Sequence, residues 1–283
     1  MSSDIRNTNA VASTIMYVIV ILFTILAIYP IFWVIMSSFK STTEYMSIES
    51  SKLALPQDWH FTNYPRVWRD ASFPTLIYNS VFYTTITTIS VIVLSFMAGF
   101  GFAKLPSKAT PFFHGSFVIG LLITIQCILV PLFLMVRSVG LYNTRLGVLI
   151  PYIGMALPMA VYLSTAYIKG IPNEIIESAR IDGAKYLSIF ARIILPMAAP
   201  VATTVAILQV TGTWNEFMFI NILVGADRLK TVPLGVNMFA GALHSDYGRQ
   251  FAAIVIGMMP MIIFYTIFRK QITKGVSAGA VKG

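Results

Sequence analysis

Between Gly170 and Pro196 the chain reads Gly-Ile-Pro-Asn-Glu-Ile-Ile-Glu-Ser-Ala-Arg-Ile-Asp-Gly-Ala-Lys-Tyr-Leu-Ser-Ile-Phe-Ala-Arg-Ile-Ile-Leu-Pro, with acids, bases and small residues set among apolar ones at helical intervals. The chemistry on offer is recognition, not bond making. The segment reads as two short helices: Pro172 suits the first turn, and Glu174 and Glu177 favour the positive end of the first. Asp182 is placed to cap the second after a break that Gly183 permits. Small Ala179, Gly183 and Ala184 leave room for another backbone or a foreign side chain. Two readings fit this pattern equally. The segment is either an amphipathic hairpin on a membrane, with Arg180, Lys185 and Arg192 near lipid phosphates, or a pair of helices docked in a partner's groove.

Residues for covalent chemistry are missing. The sequence has no Gly-Lys dipeptide and therefore no P-loop, whose lysine and backbone amides hold nucleotide phosphates. His60, His114 and His244 are scattered and no His-Glu-x-x-His occurs, so no metal or cofactor is expected on this chain. Cys127, the single cysteine, rules out a disulfide within the chain. A net charge of +9 would suit nucleic acid, but the basic residues stand singly between apolar runs and form no stripe with aromatic platforms, so no nucleic-acid partner is expected.

A second set of polar residues lies inside the apolar runs: Asn79, Gln126, Gln209, Asn215, Glu216 and Asn221. A lipid-facing polar group costs free energy, so these are candidates to line a solute path. Interhelical hydrogen bonding, worth on average about 0.6 kcal/mol, is the expected use of most of them. Glu216 stands apart, because a carboxylate within a membrane needs a partner.

The elements that must hold these residues are apolar runs near 11–39, 76–103, 111–136, 146–168, 197–224 and 251–268. Each is long enough to cross a bilayer, and backbone groups without partners in lipid require helices. An all-α integral membrane fold with about six transmembrane helices is expected. The first run is longer than a signal-peptide core and lacks a convincing cleavage site, so it is read as a retained helix. An even helix count puts both termini on one side with the second and fourth connections, and 11 of the 20 lysines and arginines fall there. That modest excess places both termini in the cytoplasm. Trp59, Tyr64 and Trp68 fall in an external loop, at the membrane–water boundary that such rings favour. The chain divides into a first helix with its external loop (1–75), a core of five helices (76–270) containing the 170–196 segment, and a tail (271–283). The tail, rich in glycine and alanine, buries too little to order by itself.

The order Glu177-Ser178-Ala179, three residues, Gly183, nine residues, Ile193, one residue, Leu195-Pro196 resembles the EAA motif of permease subunits in binding-protein-dependent ABC importers. Ser178 replaces the usual alanine. Thr213-Trp214-Asn215-Glu216-Phe217 and the tail from Gly275 to Gly283 are similar to the carbohydrate branch, in particular to the second membrane subunit of maltose systems. The resemblance covers essentially the whole chain. It implies the MetI-like permease fold in a bacterial-type inner membrane, a second homologous permease, a carbohydrate solute and an extracytoplasmic solute-binding protein. It also implies a separate ABC ATPase dimer that carries ATP and Mg2+. Glu177, Ser178, Ala179, Asp182 and Gly183 match the positions that couple to the ATPase, and Gly279, Lys282 and Gly283 would enter the seam between its subunits. A cation-coupled secondary transporter is the alternative, and would need intramembrane acids or broken helices, for which only Glu216 qualifies. A membrane enzyme would need a paired nucleophile and base, which are absent.

Overall fold

A computed structural model describes residues 2–47, 52–105, 107–241 and 245–280. In chain order the helices are α1 (Ser2–Ser37), α2 (Thr42–Met46), α3 (Asn63–Asp70), α4 (Phe73–Lys104), α5 (Thr110–Gly120), α6 (Ile125–Ser138) and α7 (Arg145–Lys169). There follow α8 (Asn173–Ile181), α9 (Tyr186–Ile189), α10 (Leu195–Met197), α11 (Ala199–Trp214), α12 (Met218–Leu223), α13 (Val232–Asn237) and α14 (Tyr247–Ala280). Among the described residues there is no strand. Internal contacts divide the chain into two units, Met1–Ser72 with Val236–Met259, and Phe73–Gly235 with Pro260–Gly283.

In the first unit α1 is long and apolar enough to span a bilayer from Ala12 to Ser37, and none of the most apolar stretch of that segment is buried. Apolar on every side, it is suited to lipid or to another helix. After it the chain turns back on itself around Asn63, whose amide donates to the carbonyls of Ser38 (2.8 Å) and Lys40 (3.0 Å). Phe39 packs its ring against Trp59, Phe61 and Tyr64. Arg249 bridges Asp246 (2.5 Å) and Asp70 (2.9 Å), and the Thr42 hydroxyl donates to the other oxygen of Asp246 (3.0 Å).

Burial alone would raise the Asp246 carboxyl; hydrogen bonds from the backbone and side chain of Arg249 and from Thr42, with the Arg249 charge, outweigh it and hold the group below its ordinary value. A depressed folded pKa gives stability that is complete above the unfolded value, near 4, and lost as pH falls through the folded one. The amide-exchange protection of this unit, corrected for intrinsic rates, should therefore fall with acidification below about pH 4, and Asp246→Asn should remove most of that dependence. An unchanged pH profile in Asp246→Asn would assign the acid sensitivity elsewhere.

The second unit is built on α4 and α7. Ser95 meets Ser164, whose hydroxyl donates to the Ser95 carbonyl (2.7 Å), and Tyr83 meets the ring of Tyr152 at 6.3 Å. Both pairings step in the same direction, so the helices run parallel. The seam is lined by small residues: Ser95 and Gly99 on α4 against Ala160 and Ser164 on α7, all at intervals of four. A side chain at Gly99 would stand 2.5 Å from the Ser164 Oγ and 3.0 Å from the Thr165 amide nitrogen.

Parallel neighbours need a return crossing between them, and α5 with α6 supplies it. The two meet at 106° across 121–124, so the expected straight span over 111–136 is a bent pair. The expected span over 197–224 is also corrected: α11 stops at Trp214 and α12 begins at Met218. Neither interruption follows from hydropathy, because each is only three or four residues long and is averaged away in a smoothed run. Among the described residues four helices are long and apolar enough to cross singly, and up to six crossings result if each bent pair, α5–α6 and 186–197 with α11, is one span. The expectation of a tail without order is corrected too. The backbone of α14 stays helical to Ala280, because extending a formed helix avoids the cost of nucleation.

Candidate functional site

The 170–196 segment folds as two helices joined by a bend, at the end of the second unit where α4 finishes. α8 turns Ile176 and Ala179 inward, against a core that includes Phe96, Phe100, Ile168, Ile189, Phe190 and Ile194. Its start is fastened by Lys104, the last residue of α4, whose ammonium donates to the carbonyl of Ile171 (2.5 Å) and to Oδ1 of Asn173 (2.7 Å). Sequence reading counted Lys104 only as a charge; a lysine closing a long apolar helix was the available signal.

Asp182 does not cap the second helix as expected; it is the C-cap of α8. The Gly183 amide donates to the Arg180 carbonyl (3.0 Å) and the Ala184 amide to that of Ala179 (3.0 Å). With Gly183 at φ +81° this is a Schellman ending, whose left-handed residue glycine adopts without steric cost. Gly183 therefore makes the bend, and the sense of the cap follows from where the helix stops. Arg180 lies over the ring of Tyr186 (4.8 Å) and donates to its hydroxyl (2.5 Å), bracing the turn between α8 and α9.

Beyond α9 the helix widens over Phe190–Ile194 into i→i+5 bonding, with the Leu195 amide donating to the Phe190 carbonyl. Pro196 follows at once. Its ring would crowd the carbonyl four residues back in a regular α-turn, and the wider turn relieves that.

The motif positions face two ways. Ala179 is buried in this chain's own core, whereas Glu177, Ser178, Asp182 and Gly183 are exposed. The Ser178 hydroxyl donates to the Glu174 carbonyl (2.8 Å), which explains why serine serves where alanine is usual: its one extra polar group is satisfied inside the helix. Beside these acids Ile181 is 86% exposed and Leu187 70%. An acidic rim around uncovered branched apolar side chains can seat a partner.

The polar residues of the apolar runs do not come together as one set. Asn79 is wholly buried at the opposite end of the unit, where its amide donates to the carbonyls of Arg228 (2.8 Å) and Lys230 (2.9 Å) and its oxygen faces Arg145 (3.4 Å). It staples the 226–231 loop to α4. Gln209 donates to Thr213 on its own helix (2.6 Å), Asn215 donates to the Thr211 carbonyl (2.9 Å), and Gln126 is exposed. Asn221 is exposed on α12. Glu216 sits in the break between α11 and α12 and turns inward to Tyr152 of α7.

Asn143, which sequence reading missed, takes φ +60° and accepts the amides of Gly225 (3.1 Å) and Ala226 (2.9 Å) with its side-chain oxygen. An Asn after Leu-Tyr at the entry of a helix is a turn signal available in the sequence. Of the tail residues, Gly279 lies within α14, and Lys282 and Gly283 fall outside the described residues. Among the described residues no group of three histidine, cysteine, aspartate or glutamate side chains is placed to hold a metal ion.

These features define a multi-pass helical membrane protein that presents a fixed amphipathic hairpin at one end of a parallel-helix core. The chain belongs to the family of binding-protein-dependent transport system inner membrane components, whose model matches residues 5–278. It is 33% identical to the diacetylchitobiose uptake system permease protein of Streptomyces coelicolor, over 95% of this chain and 89% of that one. It is 31% identical to the trehalose/maltose transport system permease protein of Thermococcus litoralis, over 93% and 94%. Among solved structures it is similar to a bacterial ABC transporter involved in import of the acidic polysaccharide alginate, with a TM-score of 0.79 and 25% identity over 93% of this chain and 97% of that one. The membership favours an ABC permease over a cation-coupled carrier.

Proposed function

We propose that this chain is one of two permease subunits of an ATP-driven importer for a sugar or oligosaccharide, and that α8 with its bend is where a separate ATPase dimer engages it. The observation that carries this reading is the hairpin itself: an exposed acidic and apolar face, held to α4 by Lys104 and to the core by Ile176 and Ala179. The sugar is supported by relatives named for diacetylchitobiose and for trehalose and maltose. ATP and Mg2+ belong to the ATPase, and a solute-binding protein delivers solute at the opposite membrane face. The second and fourth connections share an end of the core, in keeping with the basic excess that puts them, and both termini, in the cytoplasm.

Within this reading, Glu177, Ser178, Asp182 and Gly183 meet the ATPase, and Ala179 keeps α8 seated. Asn215 and Asn221, exposed on either side of the α11–α12 break, face the solute path. Asn79, Gln209 and Glu216 serve the protein's own structure, and Gln126 faces out of this chain toward lipid or the second permease. The tail with Gly279, Lys282 and Gly283 reaches the seam of the ATPase dimer.

The test is Glu177→Gln, which keeps shape and removes charge. ATPase association should weaken by about 1–3 kcal/mol if the pair is desolvated in the groove. Co-purification of the ATPase with equal amounts of parent and variant permease reads this directly. If Glu177→Lys is equally defective with a wild-type ATPase and with one carrying the opposite charge reversal, a direct ion pair is ruled out.

A further inference from the structure

Three donors converge on the side chain of Glu216. The Tyr152 hydroxyl of α7 donates to Oε2 (2.6 Å), and the amides of Phe219 and Ile220 donate to Oε1 (2.7 Å) and Oε2 (3.2 Å). Those amides open α12, where no preceding helical turn supplies acceptors. In a soluble protein water would serve them; inside an apolar span an unsatisfied amide is costly, and a broken helix survives only where side chains take over. Around the three bonds lie Tyr152 at 5% exposure, Phe219 at 2% and Ile220 at 0%. The ring of Tyr152 also meets Phe219 (6.4 Å) and Tyr83 (6.3 Å).

One side chain thus does two jobs. It completes the start of α12, and it ties that start to α7. Asn215 and Asn221 lie on the exposed side of the same segment, while Glu216 between them is turned inward.

We propose that Glu216 is a positioning residue for transport: with Tyr152 it latches the break of the α11–α12 span onto α7 and so fixes where the flanking asparagines stand in the solute path. The inference rests on the importer reading for its functional half, and on geometry alone for the latch. Glu216 itself does not touch solute. An aspartate would be one methylene too short to reach both amides and the tyrosine, and glutamine would keep one acceptor oxygen.

The experiment uses the whole importer, permeases with ATPase and solute-binding protein, in nanodiscs. Two measurements are made on Glu216→Ala, Glu216→Gln, Tyr152→Phe and the double variant Glu216→Ala/Tyr152→Phe. Amide exchange at Phe219 and Ile220 reads the glutamate's cap on α12, without which there is no latch, and ATP turnover stimulated by the binding protein reads the use of the latch. Glu216→Ala should quicken exchange at both amides and lower turnover, each roughly tenfold, at parental levels of assembled complex. Glu216→Gln should recover part of both. Tyr152→Phe should leave exchange near the parental rate and still lower turnover several-fold, and the double variant should be no worse than Glu216→Ala, because the two residues form one device.

Parental turnover in Glu216→Ala despite fast exchange would reduce the glutamate to a static cap and overturn the proposal. Independent, multiplying losses in the double variant would overturn it as well. Unchanged exchange in Glu216→Ala would remove the latch itself. If the parent complex hydrolyses no ATP, the importer reading fails, while exchange still decides whether Glu216 caps α12.

Discussion

Gly183→Val should abolish coupled transport while leaving the chain inserted in the membrane. Position 183 sits at φ +81°, where a β-branched residue is a steric outlier costing at least about 1–2 kcal/mol. The Schellman bonds of Gly183 and Ala184 would have to break for the strain to relax, and α8 would lose its defined end. Gly183→Asn is the informative companion, because asparagine is the side chain that tolerates the left-handed region best. Within this chain a Cβ at 183 would meet nothing within 4 Å. If backbone conformation is all that matters, asparagine should therefore retain most uptake. On the proposed docking of this bend in an ATPase groove, which would leave no space for either side chain, we expect both variants to lose more than about tenfold, the loss of one contact of 1.4 kcal/mol already amounting to that factor. Uptake by Gly183→Asn at the parental rate would rule out close approach of the ATPase at this point.

A large effect on stability is expected at Gly99. Gly99→Ala places a methyl group against the Ser164 hydroxyl and the backbone of Thr165. A hydroxyl can rotate away, but backbone cannot, so the parallel helices must separate locally and the Ser164–Ser95 bond is lost with them. Overpacking of this kind costs about 1–3 kcal/mol, and Gly99→Leu should leave little folded protein. Gly101→Ala is the internal control, on the same helix with nothing within 4 Å of its added carbon. It should be neutral or gain up to about 1 kcal/mol from helix propensity. Thermal unfolding of the three variants in detergent ranks them. Equal midpoints for Gly99→Ala and Gly101→Ala would show that the seam yields without cost.

Much of this architecture was legible because lipid leaves the backbone few choices. Apolar runs of bilayer length had to be helices, and α4 and α7 fall within a few residues of the expected bounds. The breaks were not legible. Hydropathy averages over a window, and the interruptions at 121–124 and 215–217 are shorter than any window that detects a span. The hairpin was legible as two helices because Pro172 and Gly183 are residues with restricted backbone meaning. Asp182 misled, since aspartate suits the start of a helix in general and says nothing of which helix it adjoins. Asn79 and Glu216 stand out in the sequence as polar residues inside apolar runs. The two amides that Glu216 accepts are local, three and four positions on, but its tyrosine lies 64 positions away and the carbonyls that Asn79 meets lie 149 and 151 away, and such distant pairings have no local signature. Lys104 was missed for the same reason.

The fastening of α8 also has a consequence for mechanical work. A push delivered through a joint is divided between moving the load and deforming the joint, in proportion to their compliance. α8 is held at its start by the ammonium of Lys104, along its inner face by Ile176 and Ala179, and at its end by a closed Schellman turn. A displacement imposed on its outer face would therefore meet α4 first, through Lys104, and α7 next, through the small-residue seam.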